Sequence, residues 1–109
     1  MEKNEEDAIV PEELKELLDA NKVKLIDIRE QWEYDICNIR NAPLIPMMQL
    51  AARMNEFDKS EPMVFYCHTD NRSSRMAQFF KQAGFTNVKY LKGGVIAWAE
   101  KIDPTLEKY

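Results

Sequence analysis

Cys67 ends the apolar run Met63-Val64-Phe65-Tyr66 and is followed by the polar segment His68-Thr69-Asp70-Asn71-Arg72-Ser73-Ser74-Arg75. Beyond it Met76, Ala77, Phe79, Phe80 and Ala83 recur at three-and-four spacing, which predicts a helix, while the run before Cys67 reads as a strand. A thiol between a strand and a helix start has chemical consequences. Loop N–H groups and the unpaired amides of the first helical turn can converge on one point, and the helix dipole makes that point positive. Such a field favours thiolate or persulfide over thiol. The segment His68, Thr69, Asp70, Asn71, Arg72 and Ser73 is therefore read as an anion cradle holding the nucleophile Cys67. Ser73 doubles as a helix cap. His68, although adjacent to the thiol, is assigned to the pocket mouth and not to general base work, because neighbouring side chains diverge after a strand.

Cys-x-x-x-x-Arg-Ser after a strand resembles the active-site loop of the rhodanese family, sulfurtransferases that carry sulfur as a cysteine persulfide. Leu25-Ile26-Asp27-Ile28-Arg29-Glu30 with Trp32-Glu33-Tyr34 is similar to the family's Asp-x-Arg-x-x-x-Glu-Tyr region. Tyr90-Leu91-Lys92-Gly93-Gly94-Val95 with Trp98 is similar to its Gly-Gly-x-x-x-Trp signature. The three matches fall in family order and span most of the chain.

The resemblance implies a sulfurtransferase that moves sulfane sulfur from thiosulfate or a persulfide to a thiophilic acceptor through Cys67. The alternative is a rhodanese-like binding or redox-sensing module without turnover. Four residues separate Cys67 from Arg72, as in the sulfurtransferases. Cysteine-dependent phosphatases of similar fold have five, a wider cradle for a tetrahedral phosphate, and are disfavoured. Two departures stand out. Asp70 occupies a position that is glycine in many rhodanese loops; a rim carboxylate there would oppose the local field and repel thiosulfate unless it turns outward to Arg75 or Lys92. Cys37-Asn38-Ile39 replaces the usual Gly-His-Ile. Cys37 is read as a small buried hydrophobe in preference to a resolving cysteine.

The supporting pair Asp27 and Arg29 sits near the carboxyl end of a strand, the edge where open α/β sheets hold their ligands. Asp27 is expected either to bond the loop amides or Arg72 while Arg29 pairs with Glu33 or another acid, or to form with Arg29 an ion pair that only shapes the fold; the structural role is favoured. The six methionines are read as core filling.

Elements that could position these groups follow in order. Residues 1–7, with Glu2, Glu5, Glu6 and Asp7, read as a flexible acidic tail, and 8–109 as a single rhodanese-like domain. A short strand at Ala8–Val10 precedes a helix that starts at Pro11, buries Leu14, Leu17 and Leu18, and closes at Asn21. A strand over Lys24–Ile28 leads to a short helix over Glu30–Tyr34 that carries Trp32 into the core. Further helices follow Pro46, run from about Arg72 to the cap at Gly84, and start after Gly93-Gly94. Val88–Leu91 is a strand. This alternation predicts an α/β fold, a mostly parallel sheet of about five strands with helices on both faces.

The 109 residues, 45% of them apolar and with a net charge of −4, suit one globular domain. They argue against nucleic acid as main partner. No run suits a membrane span or a signal peptide, and two cysteines fit a reducing, cytoplasmic setting. One histidine and the cysteine spacing disfavour zinc, and the resemblance implies no metal or organic cofactor. The expected partners are a small sulfur-containing anion or persulfide donor and a possible protein donor or acceptor, with the chain a monomer or weak dimer.

Overall fold

Every residue of Met63–Tyr66 is buried, and its side chains alternate between two apolar clusters, Met63 and Phe65 on one side and Val64 and Tyr66 on the other. Only a strand covered on both faces needs such an unbroken apolar run. The computed structural model, which describes residues 5–109, builds a four-stranded parallel sheet around it. The strands are β1 (Ala8–Ile9), β2 (Lys24–Asp27), β3 (Met63–Tyr66) and β4 (Val88–Leu91), in the order β1-β4-β3-β2. The expectation of about five strands is met by four and an isolated bridge between Asp27 and Leu44 beside β2.

The helices are α1 (Pro11–Asp19), α2 (Gln31–Ile36), α3 (Met47–Ala52), α4 (Asn71–Gln82) and α5 (Gly94–Lys101). Leu14 of α1 and Val95 and Trp98 of α5 cover one face of the sheet; Leu50 of α3 and Met76, Ala77 and Phe80 of α4 cover the other. Two predicted stops are in place. Asn21 has φ +58° and Gly84 φ +101°, and the Phe85 N–H donates back to the Phe80 carbonyl across the end of α4.

Three expectations are corrected. Glu5–Asp7 form a 3-10 turn in which buried Asp7 accepts a 2.6 Å hydrogen bond from Lys81, so the expected tail over 1–7 is not wholly tail; residues 1–4 lie outside the described residues. Trp32 is not in the core but 61% exposed. The six-residue α2 turns Glu33 inward, which leaves the adjacent position 32, about 100° around the helix, outside. Phe79 is likewise exposed, because it lies about 100° around α4 from Phe80, which takes the core position.

Register places the chemistry. Asp27 pairs with Tyr66, and the Ile28 N–H bonds the Tyr66 carbonyl, so β2 and β3 end side by side with Asp27, Arg29 and Cys67 at one edge. β4 pairs with β3 as far as Tyr90 opposite Phe65 and then turns through Gly93 and Gly94 to bring the start of α5 to that edge.

Candidate active site

Cys67 is 1% exposed and follows β3 directly. Its Sγ lies 3.3 Å from the Ser73 backbone nitrogen, which donates to it, and 3.3 Å from Ser73 Oγ. Ser73 belongs to the first turn of α4, so the sulfur meets the amide end of that helix as the sequence implied. Ser73 is fully buried, and its hydroxyl also lies 3.4 Å from the Asp70 carbonyl, which fixes the serine against the loop.

The loop is held from the far side by α5. Val95 N–H donates to the Cys67 carbonyl at 2.9 Å and Ile96 N–H to the His68 carbonyl at 3.3 Å. This approach requires glycine. Gly94 has φ +61°, and a Cβ there would overlap the carbonyl oxygens of Thr69 and His68. Gly93-Gly94 is therefore more than the tight turn read from sequence, since it lets one backbone lie on the other.

Asp70 does not turn outward. Its Oδ2 accepts the Gly93 N–H at 2.9 Å, and Lys92 reaches Glu5 at 3.6 Å instead. The carboxylate thus sits at the start of α5, where a helix dipole favours negative charge. The backbone at Asp70 has φ −158°, outside the left-handed region, so no positive φ demands glycine there. The same holds for Cys37, with φ −162°. The turn after Cys37 takes its left-handed angles at Arg40 (φ +52°) and Asn41 (φ +55°). Cys37 is buried in the cluster on the opposite face of the sheet from that of Cys67, in keeping with a small hydrophobe.

The supporting residues form one network. Arg29, fully buried, donates from Nε to Asp27 Oδ1 at 3.0 Å and from Nη2 to Asp27 Oδ2 at 2.7 Å, and Nη2 also reaches the Cys37 carbonyl at 2.7 Å. Burial works against the Arg29 charge, but the Asp27 carboxylate outweighs it and holds the proton more firmly than in an ordinary arginine. Asp27 pairs with Arg29, not with Arg72 or the loop amides, so the acid Arg29 takes is Asp27 and not Glu33.

Glu33 belongs to Arg72, which donates from Nη1 to Oε1 and from Nη2 to Oε2, both at 2.8 Å. Glu33 Oε1 also accepts the Glu30 N–H at 3.0 Å, and Oε2 the Tyr109 hydroxyl at 2.7 Å. Burial pushes the Glu33 carboxyl up, and the hydrogen bonds from Arg72, Glu30 and Tyr109 overcome it, holding the group down at about 2. Two residues have roles that the sequence reading did not assign, Glu33 having been named there only as a partner for Arg29. Glu33 had a signal, its place in the Glu-Tyr motif. Tyr109 had none, since nothing in its sequence neighbourhood ties it to a loop 41 residues away. Its ring stacks on His68 with centroids 4.3 Å apart, and its main-chain oxygen lies 2.8 Å from His68 Nε2.

A buried cysteine on the amide end of a helix, at the carboxyl edge of a parallel α/β sheet and flanked by a bidentate Arg–Glu pair, defines an α/β domain built around a thiol. Comparison with known proteins identifies the family. Residues 10–101 match the rhodanese-like domain model, and the chain belongs to that family. It is 37% identical over 83 residues to a sulfurtransferase of Allochromatium vinosum, covering 76% of this chain and 78% of that protein. It is 36% identical over 104 residues to the probable adenylyltransferase/sulfurtransferase MoeZ of Mycobacterium tuberculosis, covering 93% of this chain but only 26% of the length of MoeZ. Among solved structures, a rhodanese-like domain protein from Staphylococcus aureus superposes with a TM-score of 0.78 at 31% identity, over 94% of this chain and 98% of that one. No helix among the described residues is long and apolar enough to cross a membrane.

Proposed function

We propose that the protein is a sulfurtransferase working through a persulfide on Cys67. The observation that carries the reading is the Ser73 amide at the start of α4, 3.3 Å from Sγ. In the first half-reaction the Cys67 thiolate attacks the outer, sulfane sulfur of a donor. With thiosulfate the sulfur–sulfur bond of the donor breaks, sulfite leaves with the electron pair, and Cys67 keeps the sulfur as a persulfide anion. In the second, an acceptor such as cyanide or a thiolate attacks the outer persulfide sulfur, and Cys67 leaves as thiolate. The loop His68, Thr69, Asp70, Asn71, Arg72 and Ser73 surrounds the persulfide with helix-start amides and the positive charge of Arg72. Asp27 and Arg29 support that loop by fixing β2 and α2. The acceptor is a small nucleophile, a thiol or another protein. The sulfurtransferase names of the relatives point the same way.

The Asp70 carboxylate makes thiosulfate, a dianion, a poorer donor than a low-molecular-weight persulfide. The second reading, a binding or redox-sensing module, draws on the near-complete burial of Cys67. Intact mass separates the two. Reduced protein treated with thiosulfate, and separately with a low-molecular-weight persulfide, is expected to gain one sulfur atom that cyanide removes and that is absent in Cys67→Ser. No gain with either donor, while an alkylating reagent still reaches Cys67, overturns the sulfurtransferase reading in favour of the module.

A further inference from the structure

Cys67 is buried, and within the loop that follows it the half-buried residues are His68 and Arg72. Both are tied to the same residue. Tyr109 holds His68 directly, by the 4.3 Å ring stack and the 2.8 Å contact between its main-chain oxygen and His68 Nε2. It holds Arg72 through Glu33, whose Oε2 accepts both the Tyr109 hydroxyl at 2.7 Å and Arg72 Nη2 at 2.8 Å. The hydroxyl in turn accepts from Arg29 Nη1 at 2.8 Å, so it bridges the Asp27–Arg29 pair to the Glu33–Arg72 pair. Trp32, exposed, meets the Tyr109 ring edge-on at 5.9 Å and extends the aromatic rim outward.

The path of the chain explains how this residue reaches the mouth. α5 starts against the loop at Gly94 and runs away from it. Beyond α5, Asp103 accepts backbone and hydroxyl hydrogen bonds from Thr105, turning the chain, and Leu106 packs on the cluster that contains Trp98. The segment thereby returns to the edge that α5 left. The segment after α5 is held by the Tyr109 contacts, the packing of Ile102 and Leu106 and an exposed Lys108–Glu100 ion pair at 3.7 Å, and it opens locally at lower cost than the core strands.

We infer that Tyr109 is a specificity-determining residue, a strap that pins both walls of the Cys67 entrance and restricts it to small sulfur compounds. The inference rests on the reading of Cys67 as the reactive group but does not require sulfur transfer to be the reaction. Small reagents reach Cys67 through small movements of His68 or Arg72. A bulky reagent enters only when both walls move, and they move together because one side chain secures them.

The test compares alkylation of Cys67 by iodoacetamide with that by fluorescein maleimide, in wild type, Tyr109→Ala and Tyr109→Phe, read on the Cys67 peptide by mass spectrometry so that Cys37 does not contribute. Tyr109→Ala is expected to raise the maleimide rate about tenfold and the iodoacetamide rate by less than about twofold, as a shift in the population of an open entrance requires. Tyr109→Phe keeps the ring stack and loses the bridge to Glu33, and is expected to raise the maleimide-to-iodoacetamide ratio about threefold. An unchanged ratio in both variants, or an equal rise with both reagents, overturns the inference. If Tyr109→Ala does not fold, Tyr109→Phe alone decides in the same way. Loading wild type with a low-molecular-weight persulfide keeps the two proposals apart, because failure to gain sulfur counts against the sulfurtransferase and leaves the alkylation ratio to judge the strap.

Discussion

Arg72 and Glu33 face one another through two parallel hydrogen bonds of 2.8 Å each, Nη1 to Oε1 and Nη2 to Oε2, with Glu33 almost wholly out of solvent. The pair joins the loop that carries Cys67 to the helix that follows β2. Its arginine therefore has a plane fixed by Glu33 of α2.

Removing one partner of such a pair strands the other. Glu33→Gln is expected to destabilise the fold by roughly 2–4 kcal/mol in urea denaturation and to slow persulfide formation at Cys67. Arg72→Lys is expected to slow it also, since an ammonium cannot reproduce the two-pronged contact. Persulfide loading at wild-type rate in both variants would remove the pair from any role in positioning the loop.

The Glu33 carboxyl gives the acid side of the stability profile a definite sign. Its folded value, about 2, lies below the ordinary 4.5, so the stabilisation it brings is fully present above about pH 4.5 and is lost as pH falls toward 2. Urea midpoints measured from pH 7 to pH 2.5 are expected to drop in that window, and Glu33→Gln is expected to flatten the drop. A profile equally steep in the variant would assign the acid limb to other carboxylates.

Asp70 carries two effects that one substitution separates. Asp70→Asn keeps an oxygen that can accept the Gly93 N–H and removes the charge. Turnover with thiosulfate is expected to rise several-fold, with stability within about 1 kcal/mol of wild type. Asp70→Gly removes both and is expected to be less stable than Asp70→Asn. If Asp70→Asn turns over thiosulfate no faster than wild type, the carboxylate does not weaken thiosulfate as a donor.

The glycine at 94 is a steric prediction. Gly94→Ala introduces a Cβ where the carbonyls of Thr69 and His68 lie and at a φ of +61° that an L-residue adopts only with strain. A loss of about 2–4 kcal/mol in thermal or urea denaturation is expected, together with weakened persulfide formation, because α5 and the loop must move apart. A fully stable, fully loaded variant would show that the two backbones separate at little cost.

What the sequence alone determined is what short-range pattern encodes. The unbroken apolar run Met63–Tyr66 specifies a strand buried on both faces; the three-and-four spacing from Met76 to Ala83, closed by Gly84, specifies α4; and Cys67 at their junction specifies a thiol on a helix N-terminus. Each rests on contacts within a few residues, so each is legible without a fold. The partners of the charges were not. Asp27, Arg29, Glu33 and Arg72 admit more than one pairing on paper, and the choice of Asp27–Arg29 and Glu33–Arg72 follows from the register of β2 against β3 and the rotation of α2. That same rotation turned Trp32 to the solvent. The direction of the Asp70 carboxylate depended on where β4 delivers the Gly93 amide, and the place of Tyr109 on the turn that folds the chain back after α5. Tertiary structure decided these because a buried charge takes whichever opposite group the packed backbone brings within hydrogen-bond reach, and that proximity has no local signature in the chain.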